Sequence, residues 1–414
     1  AGWVESTEAF RESTHDWMDF LKIRASWGQN GNCNIDNFQY FSTVAFDHLG
    51  QYSFGNNKGT ATQGGYASIM PNEDVTWETS EQLDLGLDAR FLSGRLSLNF
   101  DWYNKKTKDL LIVAPILDSY GTNAPYINGG TVENKGVEIG LGWNDQKGDW
   151  TYGVNLNLAH NKNEVTQINN KDGYILGPDK VLAENTRPVS RMEVGQPIGY
   201  FYGYKVAGVY QNQAEIDASP VNTLATVTPG DLKFADVNGD GKITPDDRTK
   251  IGDPTPDVTY GISLGLSYKN WELSMEMMGQ GGNQIYRTWD NYNWAQFNYM
   301  EQRLDRWHGE GTSNTQPLLN TKHAINSENS EYFIEDGSFF RIRNLQLAYS
   351  FDKTLLSKIR MQALKVYVNI QNLKTWKHNT GYTPEIGGSA IAFGVDNGTY
   401  PVPAVYTFGI NLTF

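Results

Sequence analysis

The chain has 414 residues, of which 39% are hydrophobic and 13% are aromatic, and it carries a formal net charge of −13 at pH 7. No apolar run reaches the roughly 18 residues that a transmembrane helix needs, so the sequence excludes a helical membrane protein. The composition is still compatible with a β-barrel, because each barrel strand buries only every second side chain in lipid. The acidic balance argues against nucleic acid as a partner, since phosphate binding favours a basic surface.

Segments in which apolar and polar residues alternate recur along the chain, and this period of two predicts β-strands. About ten long strands of the length that crosses a bilayer are predicted, at residues 21–27, 82–91, 95–102, 137–144, 150–158, 260–268, 271–277, 345–351, 364–370 and 405–414. The last strand is apolar on one face and has no polar tail, and closing a barrel would pair its edge. We therefore predict an all-β fold, in which residues 1–414 are the C-terminal portion of a transmembrane antiparallel β-barrel.

The connections between these strands alternate between short and long. The short ones are 93–94, 144–149 and 269–270 with a moderate one at 352–362, and the long ones are 112–131, 164–257, 279–338 and 375–403. Short turns on one side and long extracellular loops on the other are typical of outer-membrane barrels. The segment 200–210 also alternates, but counting it as spanning would put the 269–270 turn on the wrong side. We therefore place it outside the membrane, within the large 164–257 loop.

Aromatic residues gather at the short-turn ends of the strands, namely Phe91, Trp143, Trp150, Tyr268, Trp271, Phe351 and Phe414. Aromatic side chains form belts where a barrel meets the membrane interface, so this placement predicts contact with outer-membrane lipid. The alternative is a large soluble antiparallel protein with ordinary half-buried strands.

The segment 236–247 reads D-V-N-G-D-G-K-I-T-P-D-D and matches a calcium-loop pattern. Oxygen ligands for calcium would come from the side chains of Asp236, Asn238 and Asp240, the backbone carbonyl of Lys242, and the side chain of Asp247. The alternative is an Asx-rich turn without a metal. We predict a structural calcium ion that stiffens an external loop.

No catalytic motif stands out, because the chain contains no nucleophile elbow, zinc-binding H-E-x-x-H or phosphate loop. We therefore predict that the protein is not an enzyme. Aromatic side chains can stack on sugar rings or peptide side chains, and the 279–338 connection offers a candidate ligand surface of Tyr286, Trp289, Tyr292, Trp294 and Trp307. The alternative is a loop that packs on itself or on a partner protein.

Six strings spread along the chain, together with the terminal strand, resemble the SusC-like TonB-dependent transporters of Gram-negative bacteria. They are L-K-I-R-A-S-W-G-Q-N-G-N (21–32), T-W-E-T-S-E-Q-L-D-L-G-L-D (76–88), N-K-G-V-E-I (134–139), G-Q-P-I-G-Y-F-Y-G-Y-K-V-A-G-V-Y (195–210), P-G-D-L-K-F-A-D-V-N-G-D-G-K-I (229–243) and I-G-D-P-T-P-D-V-T-Y-G (251–261). Because the matches follow one another in order over nearly the whole chain, the resemblance is specific.

The resemblance implies a full protein with a barrel of about 22 strands filled by an N-terminal plug. It also implies import of a glycan or an oligopeptide through the outer membrane, energised by TonB, with a SusD-like surface lipoprotein as lid. The plug, the TonB-contacting segment and the first strands are absent from this chain, so we expect them in another chain or segment. Two alternatives are a secreted, calcium-stabilised carbohydrate-binding or adhesin-like β protein and, with least support, a calcium-dependent hydrolase.

Overall fold

The computed structural model describes residues 2–5, 12, 14, 17–46, 51–53, 62–114, 116, 118–177, 188–288, 298–319 and 324–414. Within these ranges eleven strands form one antiparallel sheet, in which each strand pairs with the next along the chain. They are β1 (Gly2–Glu5), β2 (Met18–Asn32), β3 (Glu78–Phe91), β4 (Leu96–Lys108), β5 (Gly130–Lys147), β6 (Trp150–Ile168), β7 (Val258–Tyr268), β8 (Trp271–Gly281), β9 (Phe339–Ser350), β10 (Ala363–Lys377) and β11 (Val405–Thr413). The predicted all-β architecture is confirmed.

The remaining elements are short and lie in the connections. The additional strands are Val44–Ala45, Gln51–Tyr52, Thr62–Gln63, Tyr66–Ala67, Leu111–Val113, Tyr126–Asn128, Tyr174–Leu176, Ser190–Glu193, Tyr200–Gly203, Val206–Val209, Val221–Asn222, Leu232–Phe234, Lys242–Ile243, Thr249–Gly252, Gln284–Arg287, Ile334–Asp336 and Val395–Asp396. The α-helices are α1 (Gln213–Asp217) and α2 (Lys353–Leu356), and the 3-10 helices are Asp118–Tyr120, Pro245–Asp247, Glu301–Asp305, Ala324–Ser327, Glu331–Phe333 and Ser357–Ile359. No helix in the described ranges has the length and apolar character to cross a membrane.

The strand register gives the large sheet one apolar face and one polar face. One apolar row contains the directly opposed residues Ile23, Leu87, Phe100, Ile139 and Leu158. The neighbouring row, one residue away and on the other face, contains Lys22, Asp88, Asn99, Gly140 and Asn157. Apolar-face side chains stay exposed, as shown by Leu85 at 45%, Leu141 at 40% and Leu347 at 44%.

The antiparallel order sends every second connection to the same edge of the sheet. The long connections 33–77, 109–129, 169–257, 282–338 and 378–404 leave one edge, and the short ones 92–95, 148–149, 269–270 and 351–362 leave the other. The predicted alternation is therefore confirmed. The largest connection begins at 169 and not at the predicted 164, because β6 continues to Ile168, ten residues beyond the predicted strand end at 158. The segment 200–210 forms two short strands outside the large sheet, as predicted.

Aromatic side chains meet in pairs at the short-connection edge. Trp150 stacks on Tyr268 with ring centroids 4.3 Å apart, and Trp271 contacts Tyr349 at 4.8 Å. These four residues face each other across β6, β7, β8 and β9, so they form one row on the apolar face. The predicted clustering of aromatics at this edge is confirmed for Trp150, Tyr268 and Trp271.

The buried core lies mainly outside the large sheet. We call the described parts of connections 169–257, 282–338 and 378–404 the loop domain. Three clusters of buried side chains draw most of their members from it: Val189, Phe201, Ile251, Tyr286, Phe333 and Val395; Ile112, Val132, Val165, Ile175, Met192 and Ile391; and Tyr204, Val209, Leu232, Phe234, Ile243 and Ile325. Long connections thus fold into a packed layer at one edge of the sheet.

Candidate functional site

The polar face carries a network of charges on its first three long strands. Arg24 on β2 donates to Asp88 on β3 and to Asp101 on β4, each at 2.9 Å. Asn99 donates a further hydrogen bond of 2.8 Å to Asp88. Because these groups pair with one another, this stretch of the polar face is a hydrated, largely neutralised wall.

A cavity of about 670 Å³ opens on the polar face where β8, β9 and β10 approach the loop domain. We call it the rim cavity, and its lining residues are Glu276, Met278, Arg341, Arg343, Asn344, Asn369, Gln371, Asn372, Glu385 and Val402. Arg341 is buried, donates to Thr375 Oγ1 at 2.8 Å, and forms an ion pair with Glu385 of the loop domain. The ion pair joins the sheet to the loop domain at the mouth of the cavity.

A β-bulge shapes the rim cavity. Glu276 of β8 faces Asn344 of β9, but the next residue, Met277, faces Ile342, so Arg343 is inserted without an opposite residue on β8. The register between β9 and β10 shifts at the same place. Bulges re-aim side chains and are frequent at barrel rims and beside functional sites. Sequence reasoning missed these residues, although a signal existed: the apolar-face residues Ile342 and Leu345 are three positions apart instead of two.

The predicted calcium loop forms a compact turn supported by its own backbone. Asp236 accepts a hydrogen bond from the Gly241 N–H at 2.8 Å, Asn238 accepts from Asp240 at 2.9 Å, and Asp240 accepts from Lys242 at 2.9 Å. Gly241 has a φ of +81°, as the sharp turn requires. The oxygen-bearing side chains at alternate positions are of the type that calcium prefers.

Asp247 closes this loop from a buried position. Its carboxylate accepts hydrogen bonds from the backbone N–H of Val237 at 2.9 Å and of Thr244 at 2.7 Å. Burial alone would raise the pKa of Asp247, but these amide donors outweigh burial and hold the pKa below its usual value. In the described ranges no group of three or more His, Cys, Asp or Glu side chains is arranged to hold a metal ion. Calcium binding stays a prediction.

The predicted aromatic ligand surface is not supported at the positions that the structure describes. Tyr286 is fully buried and stacks on Phe333 at 5.8 Å, so the predicted ligand-binding role of Tyr286 is corrected to core packing. Burial also raises the pKa of Tyr286. Trp307 is half-buried against the third core cluster. The three other predicted residues lie outside the described ranges, namely Trp289, Tyr292 and Trp294.

The sequence matches to two curated relatives extend over the whole chain. TonB-dependent receptor P26 of Formosa agariphila is 32% identical over 424 residues, which is 100% of this chain and 42% of the relative. TonB-dependent receptor SusC of Bacteroides thetaiotaomicron is 28% identical over 426 residues, covering 100% of this chain and 39% of the relative. The chain therefore spans about two fifths of the length of these relatives.

Solved structures support the same fold. The structure of the RagAB peptide transporter superposes with a TM-score of 0.77 at 24% identity, covering 96% of this chain and 41% of that chain. The open-open state of the RagAB peptide importer gives a TM-score of 0.75 at 23% identity. The family described as TonB dependent receptor-like, beta-barrel matches residues 14–373. The resemblance inferred from the sequence is thus confirmed, and the chain belongs to the TonB-dependent receptor-like β-barrel family.

Proposed function

We propose that the chain forms part of the wall of an outer-membrane transporter that imports a glycan or an oligopeptide. The observation that carries this proposal is the large sheet, whose in-register apolar face stays exposed while its polar face is lined by charges and amides. A bilayer supplies the apolar surroundings that the exposed face lacks, and a water-filled lumen suits the polar face. The protein acts in this proposal as a transporter and not as an enzyme.

The partners that we propose follow from the family and from the two end strands of the large sheet. Strands β1 and β11 lie at the two ends of the sheet, and a lipid-exposed sheet edge must be paired. The remaining part of the same transporter would supply those partners together with a plug and the contact with TonB. The loop domain extends from one edge only, and a SusD-like surface lipoprotein would cover it as a lid.

An uptake assay tests the transport proposal. Cells that carry the complete transporter should accumulate labelled oligosaccharides or oligopeptides that are too large for porins. Uptake should cease when the transporter gene is deleted and also when TonB is removed. Uptake that continues at the wild-type rate without TonB would show that the transport proposal is wrong.

The secreted-module alternative receives less support, because a soluble protein would leave an apolar face of this size in water. Monomeric soluble proteins rarely expose contiguous apolar patches larger than a few hundred Å². Extraction separates the two proposals. The complete protein should stay in the membrane fraction after salt and carbonate washes and require detergent for release, whereas a secreted module would appear in the wash.

We also propose that the loop 236–247 binds a structural calcium ion through Asp236, Asn238, Asp240, the Lys242 carbonyl and Asp247. The support is the donor set, which places carboxylate and amide oxygens at alternate positions around a turn. Calorimetric titration of the complete protein should show one calcium site whose affinity Asp240→Asn lowers, because a neutral amide oxygen replaces a charged carboxylate. Asp246→Asn is the matched control, since Asp246 is exposed in the same loop and outside the donor set. A flat titration of the wild type would show that the calcium proposal is wrong.

A further inference from the structure

The bulge in β9 adds a cation to the polar face. In a regular strand alternate residues point to opposite faces, so Arg343 and Asn344 could not both face the same side. Here both residues line the rim cavity, because Arg343 is inserted between Ile342 and Asn344 without an opposite residue on β8. On the neighbouring strand, Asn372 adopts a left-handed φ of +52° at the matching register shift. Distorted backbone persists only where the surrounding structure holds it in place.

The four charged side chains of the rim cavity balance in sign, as two cations and two carboxylates, but they are not all paired. Arg341 is satisfied by Glu385 and Thr375. Arg343 is exposed and forms no salt bridge with any residue that the structure describes. The Oδ1 atoms of Asn344 and Asn369 are buried, and they too find no hydrogen-bond partner in the described ranges. Buried polar atoms are nearly always hydrogen-bonded, so these two acceptors have room for a donor from water or from a bound group.

These features define the chemistry of a complementary ligand. A guanidinium presents a planar fork of N–H donors that matches the two oxygens of a carboxylate. The two amide oxygens accept hydrogen bonds from hydroxyl or N–H groups beside that carboxylate. We propose that the rim cavity binds a carboxylate group of the imported ligand, with Arg343 as its cation and Asn344 and Asn369 as acceptors for neighbouring donors. This inference rests on the proposed transport function and narrows its substrate class to ligands that carry a carboxylate.

Two kinds of ligand offer that chemistry, namely an acidic sugar with its ring hydroxyls and the C-terminal end of a peptide with its backbone N–H groups. Binding of two matched pairs of probes to the complete transporter in detergent separates them. One pair is a short oligogalacturonate and its neutral galactose counterpart, and the other is tetra-alanine with a free carboxylate or with a C-terminal amide. The wild type should bind the acidic member of one pair more tightly than its neutral member, and that pair identifies the source.

Three variants test the role of Arg343. Arg343→Ala should weaken binding of the preferred acidic probe by about tenfold to hundredfold, the range for one charge-assisted hydrogen-bonding group, and leave the neutral probe unchanged. Arg343→Lys should recover part of the loss, because the charge is kept while the fork is removed. Glu276→Gln, which removes a carboxylate from the same cavity, should tighten acidic binding. Lys358→Ala is the control, since it removes a cation on the opposite edge of the sheet.

The outcomes distinguish this inference from the transport proposal. If cells take up oligomers but the wild type binds acidic and neutral probes alike, import stands and the carboxylate inference is wrong. The same conclusion follows if Arg343→Ala changes nothing, or if it weakens acidic and neutral binding equally. If cells show no TonB-dependent uptake at all, the transport proposal and this inference fail together.

Discussion

A charge placed on the apolar face of the large sheet is expected to cost far more than the same charge one residue further along the strand. Leu156 and its opposite residues Leu141 and Ile262 are all apolar. Leu156 lies six residues after Trp150. At about 3.3 Å per residue and a tilt of about 40°, that distance places it about 15 Å from the aromatic edge. This is near the middle of an apolar band about 25 Å tall, where an arginine costs about 2–4 kcal/mol.

The adjacent residue Asn157 provides the matched control. It faces the other side of the sheet, and both of its opposite residues are glycines, Gly140 and Gly261, which leave room for a long side chain. Asn157→Arg should therefore change stability by less than about 1 kcal/mol, the usual range for a substitution away from packed features. The assay is equilibrium unfolding by urea of the complete transporter folded in lipid vesicles. If Asn157→Arg costs as much as Leu156→Arg, the assignment of the lipid-facing side is wrong.

Three further predictions concern the loop domain of the complete protein. Asp247→Ala should speed amide hydrogen exchange at Val237 by about a hundredfold, because two charge-assisted hydrogen bonds are worth about 3 kcal/mol at the lower bound. Folding lowers the pKa of Asp247. The protection of the Val237 amide should therefore be complete above about pH 4 and be lost as the pH falls through the lower pKa of the folded protein. Protection that stays constant down to pH 2 would contradict this prediction. Tyr286→Ala should destabilise the loop domain by about 3–5 kcal/mol in limited proteolysis. Tyr286→Phe should destabilise it by about 1 kcal/mol or less, since the hydrogen bond from the hydroxyl to Asn329 is long at 3.4 Å. Arg287→Met should cost up to about 3–5 kcal/mol by removing the cation that pairs at 2.9 Å with the largely buried carboxylate of Glu335, which then keeps only its hydrogen bonds from Thr380. The same change combined with Glu335→Leu should cost less, and equal costs would refute the pairing.

The strands could be predicted from the sequence because one face of the large sheet is apolar and the other is polar. In β7, from Val258 to Tyr268, apolar and polar residues alternate regularly. The predicted strand 260–268 differs from the observed strand by only two residues, at its start. Where the strand runs beyond the apolar region, the signal fades. The final residues of β6 are mostly polar on both faces, so the strand was predicted to end near 158 although it continues to Ile168. Strand β1 is not among the ten strands predicted from alternation, because its four residues are too few to show a period.

The loop domain could not be predicted because its core joins residues far apart in the sequence. Phe201, Tyr286 and Val395 belong to one cluster but come from three different connections. No local periodicity records such contacts, and aromatic residues in a long connection suit a ligand surface as well as a core. The burial of Tyr286 decides between these interpretations for that residue.

The sequence contains a signal of the bulge at the candidate site, but the residues that share the cavity can be identified only from the structure. A break in the alternation at Arg343 predicts a bulge, yet it does not say which side chains share a cavity. Arg341 lies on β9, and its partner Glu385 is 44 residues away in the 378–404 connection. Only the fold brings them together.

The two halves of this architecture depend on different surroundings. The loop domain buries its apolar side chains within the protein and can be stabilised in water. The large sheet leaves its apolar face uncovered, so the favourable transfer of that face must come from lipid or detergent. The rim cavity lies at the junction, since Arg341 and Arg343 belong to the sheet and Glu385 belongs to the loop domain. A carboxylate bound at Arg343 would lie in the same cavity as the Arg341–Glu385 ion pair, so a ligand in that cavity would meet residues of both halves.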